Sequence, residues 1–396
     1  MVDRATLWRG LDFERRVRSY AVGLLIEEPP MTASDDLVAP DGASSCTDGD
    51  LAAYRRFLVR LYGEHHRQAD EGYIRWLYDE IPVHRSADRA LWVYRQDGQI
   101  VAARGSIPFE LKAGDETWTA SWSVDVVADP GVRGSGISYE LADAARTDDR
   151  VSCGVGLSED GYRFALRRGF ADMGRVPLHV CLLDARRLSQ YFETSRTKQR
   201  LGGPFVAAFT NFVGLAHRIR RNGVKLVPIE EFDDRADTLW REVSAGYEVI
   251  ARRDSRWLAW RFDLSPDRDH YCRYYLSKND HLVGYLVLRS ASWHDLPAIE
   301  IVDYLAAPPH LPALFACAAD VGRREHAAAL LCITLNPQAR WPLRSLGFFV
   351  RSRGPRFVTR VPSLDPAHRV VSDPTRWFLT TADSDLEGCA PPPPGR

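Results

Sequence analysis

The sequence has little lysine and no excess of charge of either sign. Only four of its 52 basic residues are lysine, and 53 acidic residues bring the net charge to −1. A nearly neutral chain has no overall field that attracts a polyanion, so no nucleic-acid partner is expected. Long apolar runs are also absent, because the run in residues 204–216 is too short to span a bilayer. This run could instead pack between two domains or form a helix at a membrane surface.

Cysteine provides neither a disulfide framework nor a zinc site. The seven cysteines are an odd number without CxxC spacing, and several lie in apolar, strand-like runs. Such a pattern is typical of reduced, buried thiols. The pair His65-His66 has no ligand spacing, so no metal is expected. Without an apolar leader at the N-terminus, we expect a cytoplasmic protein, and nothing in the sequence indicates its oligomeric state.

The chain is long enough for two or three domains. Residues 1–48 are rich in turn-forming and acidic residues, which predicts a disordered extension with a short helix near residues 13–26. Helical spacing predicts two helices near 50–62 and 70–79. Alternation then predicts a hairpin around Asp97-Gly98 and a third strand. Helix, strand, helix and strand follow up to residue 184.

The second half of the chain repeats landmarks of the first. A tryptophan precedes a proline by six residues in both halves, and an aspartate precedes a Gly-Phe pair by 44 residues in both. Equal spacing across several elements indicates an internal duplication. It also predicts core packing for the recurring tryptophans. The aligned positions are Trp76 with Trp260, Pro82 with Pro266, Asp125 with Asp303, and Gly169 with Gly347.

The stretch from Ser121 to Asp149 has the pattern of an anion-binding turn. An alternating strand runs into Asp-Pro-Gly, then a short glycine-rich turn with an arginine, and then a helix without glycine. A turn that opens a helix directs several N–H groups at one small volume, with the positive helix end behind them. Phosphate is the natural occupant of such a volume.

These features resemble the GNAT superfamily of acyl-CoA-dependent N-acyltransferases. The family's turn, Arg/Gln-x-x-Gly-x-Gly/Ala, reads here as Arg133-Gly134-Ser135-Gly136-Ile137-Ser138, with serine at the last small position. Gly169-Phe170 matches a Gly-Phe pair that members carry downstream. Two positions depart from the family: Ser158 stands where members usually have Asn, and Ala165 where they have Tyr. The resemblance covers about residues 50–184 and, in weaker form, 233–361.

The resemblance implies an α+β fold with a mixed central sheet flanked by helices. It implies two GNAT-like domains in tandem, an acyl-CoA-binding domain at 49–185 and a second at 229–380. A helical connector at 186–228 would join them, and a disordered tail at 381–396 would follow. When the two halves are aligned with an offset of 178 residues, Leu311-Pro312-Ala313-Leu314 aligns with Arg133-Gly134-Ser135-Gly136 of the glycine-rich turn. Proline lacks an N–H donor, so we expect a degenerate second domain and one CoA per chain.

The resemblance also implies an enzyme, an N-acetyltransferase or related acyltransferase. It would move an acetyl or other short acyl group from acetyl-CoA, or another acyl-CoA, to an amine of a small-molecule or sugar-like acceptor. A Fem-type aminoacyl transferase and a non-catalytic acyl-CoA-binding protein are the alternatives. The implied CoA-binding residues are Val126, Val127, Ala128, Arg133, Gly134, Ser135, Gly136, Ile137, Ser138 and Ser158.

Two residues are candidates for the proton transfers of acyl transfer. Tyr162, one helical turn before Ala165, is the candidate acid, with an ordinary helix residue as the alternative. Asp125 shares a polar strand face with Ser121 and Ser123 and is the candidate base. A structural role is the alternative, since Asp303 repeats it in the half without the turn. Catalysis by positioning alone, with water carrying the proton, is a third possibility.

Overall fold

Residues 41–83, 89–145, 149–184, 223–351, 354–361 and 368–386, with positions 214, 220 and 221, are described by the structure, a computed structural model. The predicted helix near residues 13–26 and most of the predicted connector 186–228 lie outside the described residues. The predicted disorder of residues 1–48 is wrong for its last part, because Gly42–Ser45 forms strand β1 and pairs with residues 92–95.

The first half contains the predicted helices, hairpin and strand–helix units. Two strands, β1 and β6, were not predicted. The elements are α1 (Leu51–Tyr62), α2 (Glu71–Tyr78), β2 (Leu91–Gln96), β3 (Gln99–Ala113), β4 (Glu116–Ala128), α3 (Ile137–Ala144), β5 (Val151–Val155), α4 (Glu159–Arg167), β6 (Ala171–Arg175) and β7 (Leu178–Leu182).

The second half repeats this order with a short strand inserted between its first two helices and with additions at both ends. Its first helix is followed by a short helix that continues as a π-helical turn, Ala259–Asp263. The elements are β8 (Lys225–Ile229), α5 (Arg235–Val243), β9 (Val249–Ala251), α6 (Ser255–Leu258), β10 (Tyr271–Lys278), β11 (His281–Trp293), β12 (Leu296–Ala306), α7 (Leu311–Arg324), β13 (Ala329–Leu335), α8 (Arg340–Ser345), β14 (Phe349–Arg351), β15 (Arg356–Arg360), α9 (His368–Val371) and β16 (Trp377–Thr380).

Local sequence explains the hairpin turns of both halves. Asp97 and Gly98 connect β2 to β3 with φ of 52° and 71°, and Asn279 and Asp280 connect β10 to β11 with φ of 50° and 64°. Two central residues with positive φ form the turn that matches the twist of paired strands, and Asn, Asp and Gly adopt it most easily. The predicted hairpin at Asp97-Gly98 is therefore confirmed.

The sixteen described strands join one mixed sheet. Its main order is β6-β15-β5-β4-β3-β9-β16-β13-β12-β11-β10-β8, with β2 pairing β1 and β3, and β7 pairing β13 and β14. Strands of the two halves pair across the predicted domain boundary. Of the first half, β7 pairs with β13 and β14, and β3 pairs with β9; of the second half, β15 pairs with β5 and β6. The predicted domains at 49–185 and 229–380 thus share strands, and their boundaries stay a prediction.

Trp76 and Trp260 make a reciprocal contact between the halves. Each indole Nε1 donates to the other residue's carbonyl oxygen, at 2.7 Å and 3.0 Å, and the rings stack with centroids 5.1 Å apart. Both side chains are buried. Two equivalent residues that exchange the same bond imply a local two-fold relation between the segments that carry them.

The end of the described chain is buried, so the predicted disorder of 381–396 is wrong for its first six residues. A 3₁₀ turn, Thr381–Asp383, follows β16, and the carboxylate of Asp383 accepts from the fully buried Arg253 at 2.6 Å. Arg253 also donates to Asp303 at 3.2 Å, and Thr380 Oγ1 donates to the same carboxylate at 2.8 Å. One buried arginine thereby holds the chain end against β12.

Arg253→Met is expected to lower the free energy of unfolding by about 3–5 kcal/mol. The substitution leaves the carboxylates of Asp303 and Asp383 buried without their counter-ion. Urea unfolding followed by tryptophan fluorescence measures the change. Arg256 is exposed, so Arg256→Met is a matched control with an expected change below about 0.5 kcal/mol. Equal values for the two variants would contradict a stabilising role for this buried network.

Candidate active site

The glycine-rich turn leaves backbone N–H groups without acceptors at the start of α3. Gly134 and Gly136 have φ of 83° and 95°, values that glycine adopts at little cost. The N–H groups of Gly134, Gly136, Ile137 and Ser138 donate no hydrogen bond to any described residue. Successive N–H groups in such a turn form an anion site, with the positive helix end behind them. We call residues 133–138 the cradle.

The cradle is open at its glycines and tied down by its side chains. A Cβ added at Gly134 or at Gly136 would meet no atom within 4 Å. Ser135 Oγ donates to the Val132 carbonyl at 2.7 Å, and Arg133 Nη2 reaches the Ala128 carbonyl at 3.5 Å. The residue types of the predicted motif therefore hold a turn with space in front of it.

β4 and β5 separate beside the cradle and leave a fork between them. Their parallel pairing ends at Trp122 opposite Cys153, although β4 continues to Ala128 and β5 to Val155. The register of β4 against β3 shifts near Asp125, whose φ is 48°, and such a bulge bends a strand. Val126 is 52% exposed. Residues 126–128 thus have no described strand partner on the β5 side.

The equivalent fork of the second half is filled by the chain itself. β12 and β13 stop pairing after Ile301 opposite Cys332, and β13 then pairs antiparallel with β16. Thr381 Oγ1 donates to the Val302 carbonyl at 3.2 Å, so the chain end also contacts β12. A ligand that pairs with a strand edge has no space there while β16 is in place.

The second half also has no glycine-rich turn at the start of its crossover helix. Leu311 begins α7 and is fully buried, and proline occupies the first turn of the helix. Residues 311–314 are helical and belong to the core, with no extended loop whose N–H groups turn toward a ligand. The first half alone offers both a cradle and an open fork among the described residues.

The bulge at Asp125 turns its side chain away from the predicted polar stripe. Ser121 and Ser123 face α3 and α4, whereas the Asp125 carboxylate accepts from Tyr78 Oη of α2 at 2.5 Å and from Gln68 Nε2. The shared strand face predicted for these residues is therefore wrong at Asp125, because a bulge reverses the alternation of side chains. Asp125 lies buried at the base of the fork.

A second carboxylate, that of Asp385, lies close to Asp125. Burial, and then the negative charge of Asp385, raise the pKa of Asp125 to about 7. Burial also raises the pKa of Asp385, which accepts from its neighbour Ser384 at 2.9 Å. Two buried carboxyl groups that interact share their protons. A carboxyl with a pKa near neutrality is suited to accept a proton at physiological pH.

Asp125 and its counterpart Asp303 have opposite electrostatic environments. Asp303 accepts from Tyr285 Oη at 2.6 Å and forms an ion pair with the buried Arg253. Asp125 has the matching tyrosine but forms no ion pair with any described basic residue. A buried carboxylate with a bound arginine is neutralised, while one with neutral donors and an acidic neighbour stays poised to titrate. The two positions therefore differ in the property that a catalytic base requires.

An aromatic pocket lies next to this pair of carboxyl groups. The chain end forms one wall, because Arg261 donates to the carbonyl oxygens of Ala382 at 2.9 Å and Ser384 at 3.2 Å. Arg67 lies at 4.4 Å over the ring of Tyr73 and pairs with Asp267 at 2.8 Å. The remaining lining includes Trp76, Trp122, Trp257, Trp260 and Asp385. Recurring tryptophans thus serve both the core and this pocket.

Two further predicted site residues lie on α4. Ser158 is the N-cap, and its Oγ accepts from Gly161 N at 3.2 Å, which is the usual role of serine at that position. Tyr162 Oη donates to Asp172 at 2.8 Å, and this bond raises the pKa of the phenol. Arg356 lies at 3.9 Å over the same ring. The structure does not bring Tyr162 into contact with Asp125.

Three residues of the site escape prediction from the sequence. Gln68 lies in the short 3₁₀ turn Arg67–Ala69, Tyr78 ends α2, and Asp385 lies in the predicted tail. All three reach Asp125 across long stretches of chain. The sequence predicts Tyr78 only as part of a helix end and Asp385 only as part of a disordered tail, so neither pattern indicates a partner of Asp125.

Comparison with solved structures identifies proteins with a similar fold. The structure is similar to a GCN5-related N-acetyltransferase from Anabaena variabilis (12% identity, 81% of this chain and 73% of that chain, TM-score 0.56) and to one from Kribbella flavida (14%, 82% and 71%, 0.54). It is also similar to Saccharomyces cerevisiae N-myristoyltransferase with bound myristoyl-CoA (11%, 89% and 88%, 0.50).

At these identities the likeness shows the fold alone, which is GNAT-like, as predicted. No model of a known protein family matches the chain, and no curated protein matches it. Among the described helices, none combines the length and apolar character needed to cross a membrane.

Proposed function

We propose that this chain is an acyl-CoA-dependent N-acyltransferase that holds one acyl-CoA in its first half. It transfers an acetyl or other short acyl group to an amine of a small-molecule or sugar-like acceptor. One observation carries the proposal. In the first half an open cradle lies beside an open fork, whereas in the second half β16 fills the fork. The GNAT-like fold supplies the context, and we infer an internal duplication from the equal residue spacing in the two halves.

Each backbone feature has a role in holding the donor. The unbonded N–H groups of Gly134, Gly136, Ile137 and Ser138 bind the pyrophosphate, where the positive end of α3 adds to the attraction. The free edge at Val126, Val127 and Ala128 pairs with the amide groups of the pantetheine arm, as a strand would. One of those N–H groups polarises the thioester carbonyl, because it is aimed where negative charge develops.

We assign the two proton transfers to Asp125, at the base of the fork, and to Tyr162 of α4. The amine nitrogen attacks the thioester carbon, and Asp125 accepts the proton that the nitrogen loses. The carbon–sulfur bond breaks, and Tyr162 gives a proton to the departing thiolate. For this step the Tyr162 hydroxyl leaves its hydrogen bond with Asp172.

Release of free thiol tests the activity directly. Acetyl-CoA and a panel of amines are mixed with the protein, and a thiol-reactive dye records CoA production over time. An amine-dependent rate above the no-enzyme background is expected for at least one acceptor class. Saturable binding of acyl-CoA without thiol release for any amine would identify a binding protein instead.

Asp385→Asn is expected to move the pH dependence of kcat/KM toward lower pH by up to about one unit. Asp125 acts as its carboxylate, so activity rises as pH passes its pKa of about 7. Removing the neighbouring negative charge lowers that pKa, because a like charge disfavours ionisation. Values of kcat/KM measured between pH 5 and 9 locate the pH at which activity rises. If that pH is the same in the variant, with activity retained, electrostatic coupling of the two carboxyl groups is contradicted.

A further inference from the structure

Four serines lie together on the face of the sheet toward α3 and α4. Ser106 of β3 is directly opposite Ser123 of β4, and Ser121 of β4 is opposite Ser152 of β5. Their strand neighbours, such as Trp122, point to the other face and into the main core. We call Ser106, Ser121, Ser123 and Ser152 the serine floor. Because the four serines lie on three neighbouring strands, strand and residue spacings spread their hydroxyls over a patch of about 10 by 7 Å.

Three arginines surround the serine floor. Arg104 lies two residues before Ser106 on the same face of β3, and Arg360 of β15 is directly opposite Ser152. Arg168, just after α4, forms a salt bridge with Asp143 of α3. Arg104 and Arg360 therefore flank the floor along β3 and β15, and Arg168 lies close enough to Arg104 to act on its charge.

Arg104 is the unusual member of this group. It is half-buried, yet it forms no hydrogen bond or ion pair with any described residue. Burial, and then the positive charges of Arg360 and Arg168, lower the pKa of Arg104 to about 10. A guanidinium that gives up water without gaining an acceptor is costly, and three like charges near one another add to that cost. An anion between them would relieve both.

We propose that the serine floor and Arg104, flanked by Arg168 and Arg360, bind a small oxyanion, either a carboxylate or a phosphate group. Hydroxyl and guanidinium groups are the donors that such anions accept from, and the planar guanidinium matches their paired oxygens. This site requires no acyl-CoA and is independent of the proposed transferase activity. The anion belongs either to a substrate or to a free effector.

The serine floor is separate from the cradle. The cradle lies at the start of α3, whereas Asp143, which Arg168 contacts, lies in its last turn. Helix α3 has eight residues, so its two ends are about 10 Å apart. A pyrophosphate in the cradle would thus lie about one helix length from Asp143 and its partner Arg168.

The proposal is tested by measuring anion binding to a variant whose cradle is blocked. Inorganic phosphate and succinate are titrated into Gly136→Glu by calorimetry, with chloride keeping the ionic strength constant. Saturable binding of at least one of them is expected. Adding Arg104→Met is expected to weaken it at least tenfold, and Arg104→Lys to weaken it less. Arg167 is the matched control, since it is exposed on the same helix that precedes Arg168, and Arg167→Met is expected to change nothing.

Several results would overturn the site. These are no saturable binding of either anion, or equal binding by Arg104→Met and Arg167→Met. Loss of folding is not expected for Arg104→Met, because its charge has no described partner, and the double variant Ser121→Ala with Ser123→Ala provides an independent test. In the otherwise unaltered protein, competition by CoA would assign the anion to the acyl donor, and simultaneous binding would assign it to an acceptor or effector.

Discussion

Gly136→Glu is expected to abolish the rise in melting temperature that acetyl-CoA gives the unaltered protein. Position 136 is in the middle of the cradle, and its φ of 95° directs a Cβ into open space. A glutamate there places a negative charge where the pyrophosphate binds and strains the turn that aims the N–H groups. Together these effects weaken binding by a factor of at least about 100, which corresponds to about 2.7 kcal/mol at 25 °C.

Thermal unfolding with and without ligand measures this effect. A ligand at 100 times its Kd stabilises the folded state by about 2.7 kcal/mol, which is readily seen as a shift. Gly114 offers a matched control, because it also has positive φ, 64°, and open space at its Cβ, but lies in the turn between β3 and β4. Gly114→Glu is expected to keep the shift. If Gly136→Glu kept it too, the cradle would not be the CoA site.

Asp125→Asn is expected to lower kcat by about 10²–10⁴ while acyl-CoA binding is retained. An amide has nearly the shape of the carboxylate but cannot accept the proton that the amine loses. Calorimetry with acetyl-CoA and thiol-release kinetics separate binding from turnover. Unchanged kcat would leave Asp125 a structural residue and favour proton transfer through water.

The same substitution has a defined effect on the pH dependence of stability. The pKa of Asp125 in the folded protein, about 7, lies above the ordinary value of 3.8. Its contribution to stability is therefore complete below about pH 4 and is lost as pH rises through 7. At about 1.4 kcal/mol per pKa unit, up to ~4 kcal/mol is lost by pH 8. Asp125→Asn is expected to remove this loss, so its stability changes less between pH 5 and 8.

Asp303→Asn is the matched control for this stability experiment. It changes the equivalent carboxylate in the second half, whose charge is neutralised by Arg253. Losing that carboxylate leaves a buried arginine with one partner fewer, so the variant is expected to be destabilised at every pH. Urea unfolding at pH 5, 6, 7 and 8 compares the two. Parallel curves for both variants would contradict the contrast between the two sites.

Only tertiary structure could reveal the role of the chain end. Residues 381–386 have the composition of a polar terminus, and nothing in their spacing indicates burial. They are buried because Arg253 and Arg261, more than 100 residues earlier, donate to their carboxylate and carbonyl oxygens. Loop closure over such distances depends on the whole fold, so local patterns carry no information about it.

The sequence by itself determined whatever depends on neighbouring residues. Hairpin turns at Asp97-Gly98, the glycine conformations of the cradle and the order of helices and strands all follow from local conformational preferences. Tertiary structure decided the rest. It turned Asp125 away from its predicted face, brought Asp385 beside it and placed β16 in the second fork, because bulges, strand exchange and buried charge pairs depend on residues far apart in the chain.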